Sequence, residues 1–412
     1  MSTTSARVMV VGGGPGGLMA AEQLATEGCA VTVVEHMPSV GRKFLLAGRS
    51  GLNLTHTEPT PSLVARYGVA ASRLAPAIES FDADALRAWA AGLGEATFVG
   101  TSGRVFPESF RATPLLRAWA ARLDGLEVTI RTRVRWVGFE AVPEGVGVRL
   151  LGADAGAEEV VVADAVVLAL GGASWPKVGS DGGWVEILSA AGVTVSDLRP
   201  ANCGFTAEWT PTFVDRFAGA PLKNVALTFG GRTVRGEGVV TESGVESGVF
   251  YALGAAIRDR VEADGRATVH LDLHPDVDVA GVAARLARRR AKETWSTSLR
   301  RAGLAPVAVS LLREVTGNRL PADIGGLAAL VKDVPLTLVG TESLARSIST
   351  AGGVAWDEVD ERFMLRRMPG VFVVGEMLDW EAPTGGYLLQ ATFSTAVAAA
   401  RGVLDWLGER NP

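Results

Sequence analysis

Four apolar runs punctuate the chain: Val8 to Val11, Ala30 to Val34 with a single threonine, Val166 to Leu170, and Val371 to Val374. Continuous apolar stretches of this length fit parallel strands buried on both faces. Each gives way at once to glycine or to an acid: Gly12, Glu35, Gly171 and Gly375. Between the first two runs the pattern is helical as far as Gly28. Phe81 to Leu93 predicts an amphipathic helix with an acidic start. Pro114 to Leu123 predicts another, with Thr113 as N-cap and Pro114 at its first position. Leu126 to Arg135 alternates like a strand. Arg135 to Glu140, Gly147 to Leu151 and Glu159 to Val162 predict a three-stranded antiparallel meander. Ser196 to about Arg346 reads differently. It has short strand-like pieces around Val225 to Phe229, Thr233 to Val234, Val239 to Val240 and Ala267 to Leu273. Helices at Val279 to Lys292, Ala305 to Thr316 and Ile324 to Lys332 follow. A final helix opens near Thr384 and runs to about Leu407. The expected architecture is an α/β, Rossmann-like domain in two parts, residues 1–195 and 346–412. They flank an inserted β-barrel-like and helical domain at 196–345.

The first turn carries chemistry. Gly12, Gly14 and Gly17 have the GxGxxG spacing of a dinucleotide-binding turn, between a strand and a helix that begins at Pro15. Gly12 allows the tight turn, Gly14 lets backbone approach a pyrophosphate, and Gly17 lets the helix pack close to the strand. The helix start offers free N–H groups to phosphate. Glu35, at the end of the second run, is placed to accept from a ribose 2′-OH. The stretch from His36 to His56 is too rich in Gly and Arg for a helix or strand core and is expected as an ordered loop. Its Arg42 and Lys43 either neutralise a diphosphate or sit exposed on the surface.

Composition narrows the class. With 412 residues the chain exceeds a typical single core. About half the residues are apolar, a fifth are charged, and the net charge is -5, which gives no general attraction to nucleic acid or anionic membrane. No apolar run is long enough to span a membrane. Met1 to Ser5 lacks the charged start of a signal peptide, so a cytoplasmic location is expected. The two cysteines, Cys29 and Cys203, are far apart, which supports neither a disulfide framework nor a zinc site. No metal site is expected.

The order strand, glycine turn, helix, strand, long excursion, meander, strand with Gly171-Gly172 departs from a simple nicotinamide dehydrogenase. A flavin-adenine dinucleotide domain commonly contains that meander. The closing segment agrees. Gly375-Glu376 ends a strand, where an acid would lie near ribityl hydroxyls. Gly385-Gly386-Tyr387 opens a helix whose N-terminus would face the flavin edge that gains negative charge on reduction. The glycines there are expected to keep the backbone close to the ring. Val166 to Gly172 resembles the second glycine motif of two-dinucleotide-binding flavoproteins, with Leu170 in place of the usual Thr. No second GxGxxG unit follows a strand, so any NAD(P)H would dock only transiently as electron donor.

Several stretches carry a family resemblance: Gly41 to Gly48, Gly51 to His56, Gly103 to Pro107, Gly171 to Pro176, Gly179 to Gly182, Pro221 to Val225, Ser349 to Val354, Gly375 to Asp379 and Thr384 to Tyr387. The chain resembles the bacterial FAD-dependent flavoproteins often labelled aminoacetone oxidase or NAD(P)/FAD-dependent oxidoreductase, a group that includes a dehydro-bile-acid reductase. Glu381-Ala-Pro383 departs from the acidic-Gly linker of that reductase branch. The resemblance implies an FAD-dependent oxidoreductase of unidentified small organic substrate. The cofactor-binding residues expected are Gly12, Gly14, Pro15, Gly17, Glu35, Arg42, Lys43, Asn53, Val134, Gly171, Gly172, Gly375, Glu376, Gly386, Tyr387 and Leu388.

The catalytic residues stay open. His56, Lys177, Lys223 and Tyr251 are substrate-side candidates, though for each a structural role is the commoner reading of a lone residue. Cys203 is either a flavin-adjacent thiol or a small core residue. The basic run Arg285 to Lys292 reads as a solvated helix face. An RNA-acting flavoprotein, meeting phosphates through Arg288 to Arg290, is the alternative function, and the acidic total charge argues against it. A flavin-binding protein without turnover is the third.

Overall fold

In the computed structural model, which describes residues 5–48, 51–152, 156 and 158–410, the four apolar runs pair as parallel strands. The sheet order is Val371–Val373, Ala165–Leu168, Arg7–Val11, Ala30–Glu35 and Thr129–Thr132. The helices Pro15–Thr26 and Tyr387–Arg410 pack on each other, and the glycine turn, Glu35, Gly171 and Gly375 all emerge at the carboxyl ends of the strands. Open α/β sheets bind ligands at that edge. The chain divides into two compact units, Met1–Arg199 with Ser349–Pro412, and Pro200–Ile348. Each has its own apolar core. No helix among the described residues is long and apolar enough to cross a membrane.

The first unit holds two smaller antiparallel sheets. Val134–Glu140, Val146–Gly152 and Glu158–Ala163 form the expected meander. Thr55–His56, Arg104–Pro107 and Thr97–Val99 form the other. The second unit has a seven-stranded antiparallel sheet: Val334–Leu338, Ala267–Asp272, Pro221–Phe229, Arg232–Val240, Gly244–Glu246, Phe205–Thr206 and Gly340–Thr341.

Several local expectations are corrected. Leu126 to Arg135 is not one strand. It breaks at Arg133, whose φ is +58° and whose N–H donates to Met37 O (3.1 Å), so the chain leaves the parallel sheet for the meander. The stretch expected as a loop contains a helix, Arg42–Ala47, anchored by buried Phe44 and by Gly41 N–H donating to Gly13 O (2.8 Å). The helix expected from Pro114 starts earlier, at Ala112. Arg111 is its N-cap without a side-chain bond, and Thr113 lies inside. The strand fragments between residues 233 and 240 are one strand, Arg232–Val240. Glycine interrupts its apolar pattern where a side chain would not fit: a Cβ on Gly238 would stand 2.6 Å from the Phe250 ring. The helix from Val279 ends at Ala287, and a new one, Trp295–Arg301, starts where Thr294 caps the N–H of Thr297. The last helix starts at Tyr387.

Gly17 fixes the first turn, since a Cβ there would lie 1.9 Å from Gly12 O. Gly17→Ala should lower stability by about 3 kcal/mol, the upper range for overpacking. Gly125, exposed at a helix end with nothing within 4 Å of an added Cβ, serves as the control. Gly125→Ala should be neutral or gain about 0.5 kcal/mol. Thermal unfolding followed by circular dichroism measures both, and equal Tm values would remove the packing role from Gly17.

Candidate functional site

The glycine turn and Glu35 form one unit. Glu35 accepts from Gly13 N–H through one oxygen (2.9 Å) and from Met37 N–H through the other (2.8 Å). The carboxylate thus braces the turn while keeping lone pairs toward the strand edge. Gly12 has φ +107°, and a Cβ there would lie 2.4 Å from Ala169 O. Gly14 is the N-cap of the helix, Pro15 its first residue, and a Cβ on Gly14 would meet nothing within 4 Å. Its open face and the free N–H groups of the helix start make the anion-binding geometry that the spacing predicts.

A cavity of about 260 Å³ continues from this turn. Val11, Gly12, Val34, His36, Val134, Trp136, Leu170 and Trp184 are among its walls. Val134 therefore stands beside the turn and the end of the second strand. The Leu170 that replaces the usual Thr of the second glycine motif supplies an apolar wall. His36 lies 3.3 Å from Glu35 and 3.9 Å from Asp181, and Asp181 pairs with Arg135 (3.2 Å). Trp184 Nε1 donates to Gly171 O (2.8 Å), tying this wall to the second glycine pair. His36, Trp136 and Trp184 carry no motif that would have marked them in the sequence, whereas Asp181 lies in the Gly179 to Gly182 stretch quoted above.

Lys43, Gly172 and Glu376 meet at the next strand ends. Lys43 Nζ donates to Glu376 Oε2 (2.8 Å) and to Ser174 Oγ (2.7 Å). Glu376 also accepts from Gly172 N–H (3.2 Å) and Thr350 N–H (2.9 Å). Thr350 Oγ1 in turn accepts from Ala173 N–H (2.9 Å), and a Cβ on Gly172 would strike it at 2.2 Å. Gly375, at φ +68°, donates its N–H to Thr395 Oγ1 (3.1 Å) and so sets the turn that presents Glu376. Lys43 is thus no free cation: its charge is balanced by Glu376, whereas Arg42 Nε has no hydrogen-bond partner among the described residues. Thr350 lies in a motif quoted above, yet nothing local marked it as a partner of Glu376.

The start of the last helix is held from several sides. Asn53, its amide turned to suit both neighbours, accepts from Gly386 N–H (3.2 Å) and donates to Thr55 O (3.1 Å). Thr55 Oγ1 donates to Gln390 Oε1 (2.6 Å), and Tyr67 OH donates to Tyr387 O (2.8 Å). Gly386 has φ +98°, and a Cβ there would lie 2.4 Å from the Thr55 carbonyl carbon. Its smallness therefore serves packing on the strand Thr55–His56. The Tyr387 ring stacks on His56 (centroids 5.4 Å apart), with the Arg66 guanidinium 5.8 Å from its centroid. Burial and the hydrogen bond to Glu58 push the Tyr387 hydroxyl up. Arg66, bonded to Glu58, holds that carboxyl below its ordinary range. Leu388, the second helical residue, is half-buried beside them.

The substrate-side candidates are divided between the two units. His56 Nδ1 accepts from Glu58 N–H (3.1 Å), so Nε2 is the donor to Ser102 O (2.9 Å); both ring nitrogens serve backbone. Lys177 is exposed on the short turn Pro176–Val178. Lys223, Tyr251 and Cys203 belong to the second unit. Cys203 is buried in its core, and burial, then nearby Glu246, pushes the Tyr251 hydroxyl up to about 12.

Six buried side-chain polar atoms among the described residues lack a hydrogen-bond partner, and three of them surround this cradle: Arg42 Nε, Trp136 Nε1 and Ser180 Oγ. Unpaired buried donors are costly. Phosphate and hydroxyl oxygens lying across the glycine turns would satisfy them, so the residues present fit a dinucleotide. No cluster of His, Cys, Asp and Glu suited to a metal occurs among the described residues.

Comparison with known proteins agrees with this architecture. The pattern of the HI0933-like protein Rossmann domain matches residues 6–402. A 3-dehydro-bile acid delta(4,6)-reductase from Clostridium scindens is 26% identical over 97% of this chain and 99% of its own. A ribosomal RNA dihydrouridine synthase from Haemophilus influenzae is 24% identical over 95% of this chain and 97% of its own. The solved 3-ketosteroid delta1-dehydrogenase from Sterolibacterium denitrificans shares the fold, with a TM-score of 0.55 and 14% identity over 98% of this chain and 100% of its own. The chain belongs to the HI0933-like Rossmann-domain family, and with it to the FAD-dependent oxidoreductase group to which its glycine motifs point.

Proposed function

We propose that this FAD-dependent oxidoreductase adds or removes hydrogen across a carbon–carbon bond conjugated to a carbonyl, in a small organic substrate. The observation that carries the cofactor half of this reading is the convergence of two glycine turns, each with its own acid, at one edge of the parallel sheet. FAD supplies the two-electron chemistry when bound. Gly12 to Gly17 and Arg42 would hold the diphosphate, Glu35 and the cavity lined by Val134 and Trp136 the adenosine. Glu376 would meet the ribityl chain, and the Tyr387 helix start, with its dipole, would stabilise negative charge at the flavin end. The bond-level half draws on the relatives. A delta(4,6)-reductase of a 3-oxo compound and a synthase of dihydrouridine both saturate a C=C bond conjugated to a carbonyl. The second of these favours a further reading, in which the same bond lies in uracil within RNA. NAD(P)H as transient electron donor belongs to the proposal as well.

Two measurements test it. Purified protein should be yellow and release FAD on denaturation. After anaerobic bleaching with dithionite, one equivalent of a cyclic enone should restore the oxidised spectrum, and an isolated alkene should not. A bleached protein untouched by enones, with oxidised protein bleached by amines instead, would move the chemistry to a C–N bond. Glu35→Gln removes one acceptor from the pair that holds Gly13 and Met37 and sets an amide NH₂ against a backbone N–H. FAD retention should weaken by about 1.5–3 kcal/mol, the scale of a hydrogen bond to a charged group. Titration of apoprotein with FAD measures this, and an unchanged Kd would take Glu35 out of the site.

A further inference from the structure

We infer that the exposed loop 288–292 of the second unit is an RNA-binding face. Between residues 285 and 301 the chain places six arginines and one lysine against a single acid, Glu293, in a protein whose net charge is -5. That acid is turned inward. Its side chain is only 8% exposed, pairs with Arg301 Nη1 (2.9 Å) and accepts from Arg290 N–H (3.0 Å). Three arginines build the loop. Arg289 Nε donates to Glu293 O (2.9 Å), and its guanidinium lies 4.4 Å from the Trp295 ring centroid. Arg301 Nη2 donates to Arg288 O (2.6 Å), and Arg285 Nη1 to Ala302 O (3.0 Å). The side chains of Arg288, Arg290 and Lys292 are exposed and have no ion-pair or hydrogen-bond partner among the described residues. One buried glutamate and three structural arginines thus hold three further cations outward.

Charge spread over several exposed side chains of one loop suits a repeating anion better than a single phosphate. A lipid surface fits less well. The exposed apolar positions among these cations are Ala284, Ala287 and Ala291, and none is bulky enough to insert among acyl chains. Arginine outnumbers lysine six to one, and guanidinium pairs with phosphate oxygens in a bidentate manner. RNA is chosen over DNA because a relative acts on ribosomal RNA. The choice of RNA rests on the second reading above, while the test keeps the two distinguishable: RNA binding without enone turnover, and enone turnover without RNA binding, are separate results.

The test uses the FAD-loaded full chain. A fluorescent single-stranded 30-mer RNA, a duplex DNA of equal charge and phosphatidylglycerol vesicles are titrated at several salt concentrations. Wild type should bind the RNA more tightly than either competitor, with affinity falling as salt rises. In R288A/R290A/K292A, which leaves Arg285, Arg289, Glu293 and Arg301 in place, RNA affinity should drop about tenfold or more. The slope of log affinity against log salt should flatten by about 2, at roughly 0.7 per lost phosphate contact. FAD content and Tm should stay unchanged. No RNA binding at low salt, equal binding of DNA or vesicles, or a triple variant with wild-type affinity and slope would each overturn the inference.

Discussion

A Cβ on Gly12 would stand 2.4 Å from Ala169 O, one on Gly17 1.9 Å from Gly12 O, and one on Gly172 2.2 Å from Thr350 Oγ1. Backbone segments therefore approach more closely at these points than a side chain permits. The first contact draws the two central strands together at their ends, and the second seats the helix on the strand. The third brings the second glycine pair against the strand Ser349–Val354.

Two carboxylates stabilise what the glycines allow. Glu35 and Glu376 each accept from backbone N–H groups near a glycine turn, so each fixes its loop as well as presenting charge. Lys43 balances Glu376 and lowers the cost of holding that carboxylate half-buried. Arg42, next in the chain, keeps Nε unpartnered at the edge of the same cradle. Adjacent basic residues on one short helix thus differ in their bonding, one tied to Glu376 and the other with a buried donor left open.

The second unit is built on a different sheet with a separate core and carries a local concentration of positive charge that the net charge conceals. Whole-chain acidity argued against nucleic acid, but a Debye length of about 8–10 Å makes the local arrangement decisive for a charged partner. Turning Glu293 inward takes the one acid of that stretch off the exposed surface.

The sequence alone determined the features that depend on neighbours a few residues apart. Strand runs ending in glycine, the GxGxxG spacing, Glu35 at the second strand end and the meander were all legible, because burial on two faces and a tight turn impose local patterns. The stretch around Arg42 was misread because a six-residue helix has too few apolar positions to show a period. The strand Arg232–Val240 is not legible as one run because Gly236, and Gly238 against Phe250, break its alternation. Tertiary structure alone decided the pairing of Lys43 with Glu376, 333 residues apart, and the closure of Thr350 on Ala173. It likewise decided that Gly386 packs on Thr55 and that His56 spends both nitrogens on backbone. Such contacts join side chains through space, and a polar residue carries no trace in the sequence of which distant partner will satisfy it.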